Sequence, residues 1–221
     1  MSQSSALPPW PPSNGLTTKI VPRKSAVFSM YGSTTIAAPG PLIWSVLRDV
    51  SNYPKWNTFC PSATIHEQKK SDVSESERQS LHLATQFTLG VVMNAAKPNK
   101  KTDTPCRVTD VSTPEEQSAY FPAETLESEG AFSADLGKTW RIAWTAEGNF
   151  VARGLRTERF SEIIDVGDGK CVYRTWECQG GVLARTVKWL YEKTLKEKFQ
   201  LWCDDLKREC ERQVQEENSR E

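Results

Sequence analysis

The segment Ala38–Asn57, APGPLIWSVLRDVSNYPKWN, decides the fold. Pro41 suits the first turn of a helix, because the N–H that proline lacks would have no partner there. The apolar residues that follow recur at i, i+4, i+5 and i+8, which places them on one helical face. Pro54 disfavours helical backbone at Tyr53, so the chain turns before a second short helical piece around Trp56. We therefore predict two short helices that must lie against another element.

Strand patterns surround this segment. β-Branched and aromatic residues in SAVFSMYGSTTIAA, which starts at Ser25, predict one strand before the helices. Further strands are predicted at Ala63–Lys69, Leu81–Ala95, Cys106–Val111, Thr139–Ala146, Leu155–Val166 and Lys170–Gln179. Gly167, Asp168 and Gly169 between the last two indicate a hairpin turn, because glycine accepts a positive φ.

The C-terminal part of the chain predicts one long amphipathic helix, from Val182 to about Val214. Its apolar stripe is Tyr191, Leu195, Phe199, Trp202, Leu206 and Cys210. Their spacing of three or four residues is that of a helix with one buried face. The order of elements indicates an α+β fold in which a curved antiparallel sheet of about six to seven strands wraps around this helix.

The chain divides into three predicted regions. Residues 1–24 are rich in proline and are expected to form a disordered tail. Residues 25–214 form the domain, and residues 215–221 are expected to be a disordered C-terminal tail. Within the domain, the acidic stretch Ser112–Lys138 carries Tyr120 and two phenylalanines. A loop of this length is either a functional lid or an ordinary surface insertion.

Composition excludes several classes of protein. The 28 basic and 28 acidic residues cancel, which argues against a general nucleic-acid or membrane-surface binder but leaves a local patch open. No apolar run is long enough to span a bilayer, and we expect a cytoplasmic protein that is a monomer or weak dimer. The six cysteines lack any C-x-x-C pair and only two histidines accompany them, so we expect free thiols, no metal site and no cofactor.

Several motifs together resemble a known superfamily. They are the opening segment, the strand TERFSEI, the turn GDGK, the strand end WECQGGVL and the helix FQLWCDDLKRECE. The chain is similar, from Ser25 to about Glu211, to the START-like SRPBCC superfamily, also called helix-grip or birch-pollen-allergen-like. Within it, the polyketide cyclase/dehydrase and ubiquinone-binding branch is the most similar. Its pattern in the opening segment is matched by Ile43, Trp44, Leu47, Asp49, Tyr53, Trp56 and Asn57.

The resemblance implies a ligand cavity between the sheet and the long helix. In the family, the two short helices close one end of that cavity, and the turn from Tyr53 to Trp56 plugs it. This chain departs from the branch at two places. The His-x-Phe of the branch is Glu158 and Phe160 here, and its Glu-x-Phe-x-Gly motif has Gln179 at the aromatic position. Any role of that histidine or phenylalanine is therefore not carried over.

Two glutamates are the candidate polar groups of the cavity. If Glu158 and Glu177 point inward, burial raises at least one carboxyl pKa into the range of a general acid or base. The alternative is that both are solvated strand charges paired with Arg156 and Arg174. Arg141 alternates with the neighbouring tryptophans, so we expect it to face solvent.

The sequence supports two functions. The first is binding of a hydrophobic small molecule, such as a lipid, quinone or polyketide, and the second is a polyketide cyclase, dehydratase or isomerase of secondary metabolism with Glu158 and Glu177 as acid and base. Both need an apolar cavity with few polar anchors. Its expected wall is Trp140, Trp144, Phe160, Tyr173, Trp202, Phe199, Tyr53 and Trp56.

Overall fold

The computed structural model describes residues 7–68, 78–148 and 154–220. Over these residues the strands are β1 (Phe28–Ile36), β2 (Ser62–Glu67), β3 (Gln86–Val91), β4 (Thr102–Ser112), β5 (Thr139–Ala146), β6 (Arg156–Gly167) and β7 (Lys170–Gly180). The α-helices are α1 (Gly40–Arg48), α2 (Tyr53–Trp56), α3 (Ala123–Ser128) and α4 (Ala184–Asn218). The end of the strand predicted at Ala63–Lys69 lies outside the described residues.

The strands form one antiparallel sheet in the order β1-β7-β6-β5-β4-β3-β2. This is the predicted α+β helix-grip fold, with two short helices after β1 and a long C-terminal helix. The hairpin between β6 and β7 is confirmed, and its turn residues Gly167, Asp168 and Gly169 all have positive φ. β3 is shorter than the pattern predicted, and β4 begins four residues earlier at Thr102.

The two faces of the sheet bury different side chains. On the helix face, Trp144 of β5 and Tyr173 of β7 share one apolar core with α1, α2 and α4. On the outer face, Phe160 of β6 and Trp176 of β7 belong to a second apolar core. The two sets alternate along each strand, as successive side chains in a strand must.

The long helix α4 packs on the sheet through its second half. Phe199, Trp202 and Leu206 are buried as predicted, whereas Ala184 is the only buried residue of the first fourteen. The helix continues to Asn218, so the tail expected at 215–221 is helical as far as that residue. None of the helices in the described ranges is long and apolar enough to cross a bilayer.

A disordered tail is expected for residues 1–24. The structure describes residues 7–24 of this segment, and part of it is packed against the sheet. Val21 is fully buried and Leu16 is 4% exposed on the outer face. The ring of Trp10 contacts Trp176 at 5.7 Å, and the indole N–H of Trp176 donates to the carbonyl of Thr17. A segment poor in apolar residues is ordered here because the outer face already presents a large apolar surface.

The 112–138 insertion also covers the outer face. Phe132 is buried, with its ring 5.4 Å from that of Phe160, and Leu126 of α3 is buried beside it. The insertion therefore does not lie over α4. Together with residues 7–24 it completes the second core.

The contact between β1 and α4 gives a first prediction. A Cβ at Gly32 would lie 2.6 Å from the carbonyl oxygen of Phe199 and 2.8 Å from the Cys203 Sγ. Gly32→Ala should lower the free energy of unfolding by about 1–3 kcal/mol, because α4 must move away from the strand. Gly130→Ala is the control, because its Cβ would meet only Pro12, at 3.4 Å. Equal urea midpoints for the two variants would contradict this close packing.

The N-terminal segment gives a second prediction. Deletion of residues 1–22 removes the buried side chains of Leu16 and Val21 and uncovers Trp176. Each buried apolar side chain is worth about 1.5–3 kcal/mol, so we expect the thermal midpoint to fall by at least about 5 °C. Leu7→Ala, at a residue 38% exposed, should leave the midpoint unchanged. A truncated chain that melts with the full-length protein would show that the segment adds no stability.

Candidate functional site

Aromatic rings occupy the space between the sheet and α4. Tyr53 and Trp56 of α2 each place a ring 5.6 Å from that of Trp202, in edge-to-face geometry. Trp144 of β5 lies 6.4 Å from Trp202 on another side. The hydroxyl of Tyr53 donates to the carbonyl of Leu47 at 2.8 Å, which fixes α2 against α1.

Arg159 lies among these rings. Its guanidinium carbon is 4.1 Å from the ring centroid of Trp202, 4.4 Å from that of Phe199 and 5.4 Å from that of Trp144. The residue is only 3% exposed. Aromatic faces attract a cation, but they do not accept the in-plane hydrogen bonds of a guanidinium as an oxygen does.

The guanidinium of Arg159 is incompletely bonded. Its Nε donates to the Thr175 hydroxyl at 3.1 Å, while its Nη2 is buried without a hydrogen-bond partner. The ion pairs formed within the described ranges do not include Arg159. A buried donor without an acceptor costs free energy, and a buried charge costs more.

A chain of hydroxyl groups joins Arg159 to α4. The Trp202 indole N–H donates to the Tyr173 hydroxyl at 2.9 Å, and that hydroxyl is 3.0 Å from the Ser161 Oγ. Ser161 in turn donates to Thr175 at 3.1 Å. Burial raises the pKa of Tyr173 to about 12, although the charge of Arg159 opposes the shift. Tyr173 therefore stays a neutral phenol at physiological pH.

Glu177 is the carboxylate nearest in register to Arg159. The two residues are directly opposite each other on β6 and β7, on the helix face. Burial raises the pKa of the Glu177 carboxyl, while the hydrogen bond from Gln179 and the charge of Arg159 act in the opposite direction. The Gln179 Nε2 donates to the Glu177 Oε1 at 2.6 Å, and the buried Gln179 Oε1 has no partner. Glu177 therefore lies on the helix face of the sheet, and its role as a site residue stays a prediction.

The structure corrects the position of Glu158 and Phe160, which lie on the outer face. Glu158 is fully buried there and accepts hydrogen bonds from the N–H of Ile20 at 2.8 Å and the hydroxyls of Thr109 and Tyr120 at 3.0 and 2.5 Å. It is neither a cavity acid nor a solvated strand charge. The alternation of β6 puts residues 158 and 160 opposite to Arg159, so the aromatic neighbours of Glu158 belong to the other core.

The structure also corrects Arg141, which is buried rather than solvent-facing. It lies on the predicted side of β5, but residues 112–138 cover that side, and its Nε is 2.7 Å from the Asp110 Oδ2. A second outer-face pair joins Arg174 to Glu162 at 2.7 Å. Arg141 and Arg174 thus each have a carboxylate partner, in contrast to Arg159, although the Nη1 of Arg141 is also buried without a hydrogen-bond partner.

The expected wall residues divide into three groups. Those that surround Arg159 and the hydroxyl chain are Trp144, Tyr173, Phe199, Trp202, Tyr53 and Trp56. Trp140 shares the same core but packs against the start of α1, where a Cβ at Gly40 would lie 2.2 Å from its ring. Phe160 is on the outer face.

Arg159 was missed as a site residue in the sequence. The register of the strands identifies it, because Arg159 pairs directly with Trp144 of β5 and therefore lies on the same face of the sheet as Trp144. Without that register, the charged residues of TERFSEI have no assigned side. A surface pocket of about 410 Å³ adjoins this region and is bordered by Trp44, Asn52 and Trp56.

Metal-binding groups do not gather anywhere in the part of the chain that the structure describes, where no three of His, Cys, Asp and Glu could hold an ion together. The six cysteines are free and buried. The chemistry available between the sheet and α4 is therefore that of a buried cation, a carboxyl with a raised pKa and a chain of neutral hydroxyls.

Comparisons with known proteins agree with this fold. The chain matches the family model described as polyketide cyclase/dehydrase and lipid transport over residues 36–199. It is 33% identical over 203 residues to oxopyrrolidines biosynthesis cluster protein O of Penicillium oxalicum, covering 86% of this chain and 90% of the relative.

Solved structures share the fold at low sequence identity. The Zhui aromatase/cyclase of Streptomyces sp. R1128 superposes with a TM-score of 0.57 at 12% identity, covering 85% of this chain and 95% of that one. A hypothetical protein of Helicobacter pylori superposes with a TM-score of 0.58 at 14% identity, covering 84% and 89%. From the family match and the Penicillium relative together, the chain belongs to the polyketide cyclase/dehydrase and lipid transport family.

Proposed function

We propose that the chain encloses a hydrophobic small molecule of polyketide type between the sheet and α4, and that Arg159 binds an oxygen atom of that molecule. The observation that carries the proposal is the unpartnered Nη2 of a buried guanidinium surrounded by aromatic rings. A ligand carbonyl, enolate or carboxylate oxygen would supply the missing acceptor. Hydrogen bonds with an ionised partner are the stronger kind, so this one contact would orient an otherwise apolar ligand.

The relative from Penicillium supports this ligand class. Its name places it in a biosynthesis cluster for oxopyrrolidines, which are nitrogen heterocycles that bear a carbonyl oxygen. Such a ring offers a flat apolar surface to Trp144 and Trp202 and a hydrogen-bond acceptor to Arg159. The proposal for this chain is the chemical class, a carbonyl-bearing hydrophobic molecule.

The rings must move to admit such a ligand. Trp56 is the side chain that we expect to move, because it contacts Trp202 and also borders the surface pocket of about 410 Å³. Its buried indole Nε1 has no hydrogen-bond partner, so a rotation breaks no hydrogen bond of that group. Edge-to-face contacts of this kind are worth only about 0.5–1.5 kcal/mol each, which ligand contacts can replace.

A second candidate function, an enzyme, is favoured by Glu177. Its carboxyl has a raised pKa and lies opposite Arg159, so the two groups could act on one carbonyl compound. The carboxylate would take a proton from the carbon next to the carbonyl, and the electron pair would move onto the oxygen, where Arg159 stabilises the enolate. Return of the proton to another atom completes an isomerisation, and attack of the enolate carbon on a second carbonyl gives a cyclisation.

Binding at Arg159 is tested with a matched pair of probes. Benzoylacetone has two oxygen atoms on the carbon skeleton of butylbenzene, which has none. Arg159→Met should weaken the binding of benzoylacetone by at least about tenfold, because a charge-assisted hydrogen bond is lost. Binding of butylbenzene should change by no more than about twofold. Isothermal titration calorimetry measures both affinities.

Arg107→Met is the control for this experiment, because Arg107 is a half-exposed arginine on β4 that pairs with Glu147. It should leave both affinities unchanged. If Arg159→Met binds benzoylacetone as tightly as the unchanged protein does, Arg159 does not contact the ligand.

The raised pKa of Glu177 predicts a pH dependence of stability. A carboxyl whose folded pKa is raised adds stability below its unfolded pKa of about 4.3, and this contribution is lost as pH rises through the folded pKa. Glu177→Gln removes the ionisation, so its stability relative to the unchanged protein should increase between pH 4 and pH 7 in urea titrations. A difference that is constant across this range would show that burial does not perturb Glu177.

Glu177→Gln also separates the two functions. An enzyme would lose turnover by about a hundredfold or more with little change in ligand affinity. A binding protein would show at most a small change in affinity.

A further inference from the structure

The first half of α4 leaves a large aromatic residue in water. The side chain of Trp189 is 83% exposed and that of Leu190 is 51% exposed, whereas the tryptophans packed between the sheet and α4 are buried. Isolated apolar residues on a surface are ordinary. The second half of this helix packs on the sheet through its buried aromatic residues. The fold therefore does not need the exposed tryptophan.

Basic residues surround this tryptophan. Arg185, Trp189, Lys193 and Lys196 follow at spacings of four, four and three and therefore lie on one side of the helix, which we call the basic face. All four are exposed. The acidic residues of this half of the helix are Glu192, which pairs with Lys196 at 2.8 Å, and the exposed Glu197, four residues after Lys193. The basic face extends for about 16 Å along the helix.

An open groove lies alongside the basic face. It has a volume of about 920 Å³ and is lined by Val27 together with Arg185, Lys188, Trp189, Leu190 and others of this half-helix. A cationic surface with a central indole and apolar flanks is the composition of segments that lie in the headgroup region of a bilayer. The net charge of the whole chain is zero, so the positive charge here is local.

We propose that the basic face docks on an anionic lipid surface, with Trp189 in the headgroup layer and the lysines and arginine at the lipid phosphates and carboxylates. A second copy of the chain does not suit this surface, because a symmetric dimer would place arginine and lysines against arginine and lysines. This docking is independent of the ligand between the sheet and α4. It would bring the protein to the phase in which hydrophobic small molecules accumulate.

The test is flotation of the full chain with vesicles. The protein should bind vesicles of phosphatidylcholine containing about one-third phosphatidylserine, and high salt should release it, because screening weakens each basic contact. Removing two basic residues, Arg185→Gln with Lys193→Gln, should weaken binding by about 10- to 30-fold. Trp189→Ala should weaken it by at least about fivefold.

Matched controls remove the same groups elsewhere. Lys97→Gln with Lys100→Gln removes two exposed lysines of another loop, and Leu83→Ala truncates a side chain that is 59% exposed. Both should bind like the unchanged protein, and all variants should keep its thermal midpoint. The proposal fails if the protein does not bind the anionic vesicles, if it binds pure phosphatidylcholine equally well, or if Trp189→Ala instead dissociates a dimer in sedimentation. None of these outcomes depends on the ligand proposed for Arg159.

Discussion

The close packing of α4 on β1 is the contact on which the rest of the structure depends. At Gly32 the helix backbone approaches the strand so closely that no side chain fits between them. The second half of α4 is thereby pressed against the sheet, and Phe199 and Trp202 enclose Arg159. Without this contact, water would reach the guanidinium of Arg159 and would supply the hydrogen-bond acceptor that its Nη2 lacks.

The central strands β5, β6 and β7 are buried on both faces of the sheet, and charged side chains have different partners on the two faces. On the outer face, Arg141 and Arg174 each pair with a carboxylate, and Glu158 accepts three hydrogen bonds. These groups fasten residues 7–24 and 112–138 to the sheet. On the helix face, Arg159 forms one hydrogen bond and keeps a free donor. Groups that cost stability in this way are concentrated at functional sites.

The fold could be predicted from the sequence because its signals are periodic. The stripe from Tyr191 to Cys210, the alternation in β5 and the glycine turn at 167–169 each specify an element by themselves. The site could be predicted only in part. Glu177 and the rings of Trp144 and Trp202 are where the pattern indicated. Glu158 and Phe160 are not, because strand alternation gives two faces without saying which one meets the helix.

The segments that cover the outer face could not be predicted from the sequence, for a physical reason. Residues 7–24 contain too few apolar side chains to fold alone. They become ordered only because they pack on the apolar surface at Phe160 and Trp176. Arg141 faced solvent in the prediction because that cover was not foreseen. Contacts between segments that are distant in the sequence therefore determine both the order of residues 7–24 and the burial of Arg141.

The central claim is that Arg159 serves a ligand rather than the fold, and urea unfolding of two matched variants tests it most directly. Arg141→Met breaks a buried ion pair and leaves the Asp110 carboxylate without its cation, so it should cost about 3–5 kcal/mol. Arg159→Met removes a buried cation without a carboxylate partner, so it should cost less than about 1 kcal/mol or stabilise the protein. An equal loss of stability in the two variants would show that Arg159 is structural and would contradict the account.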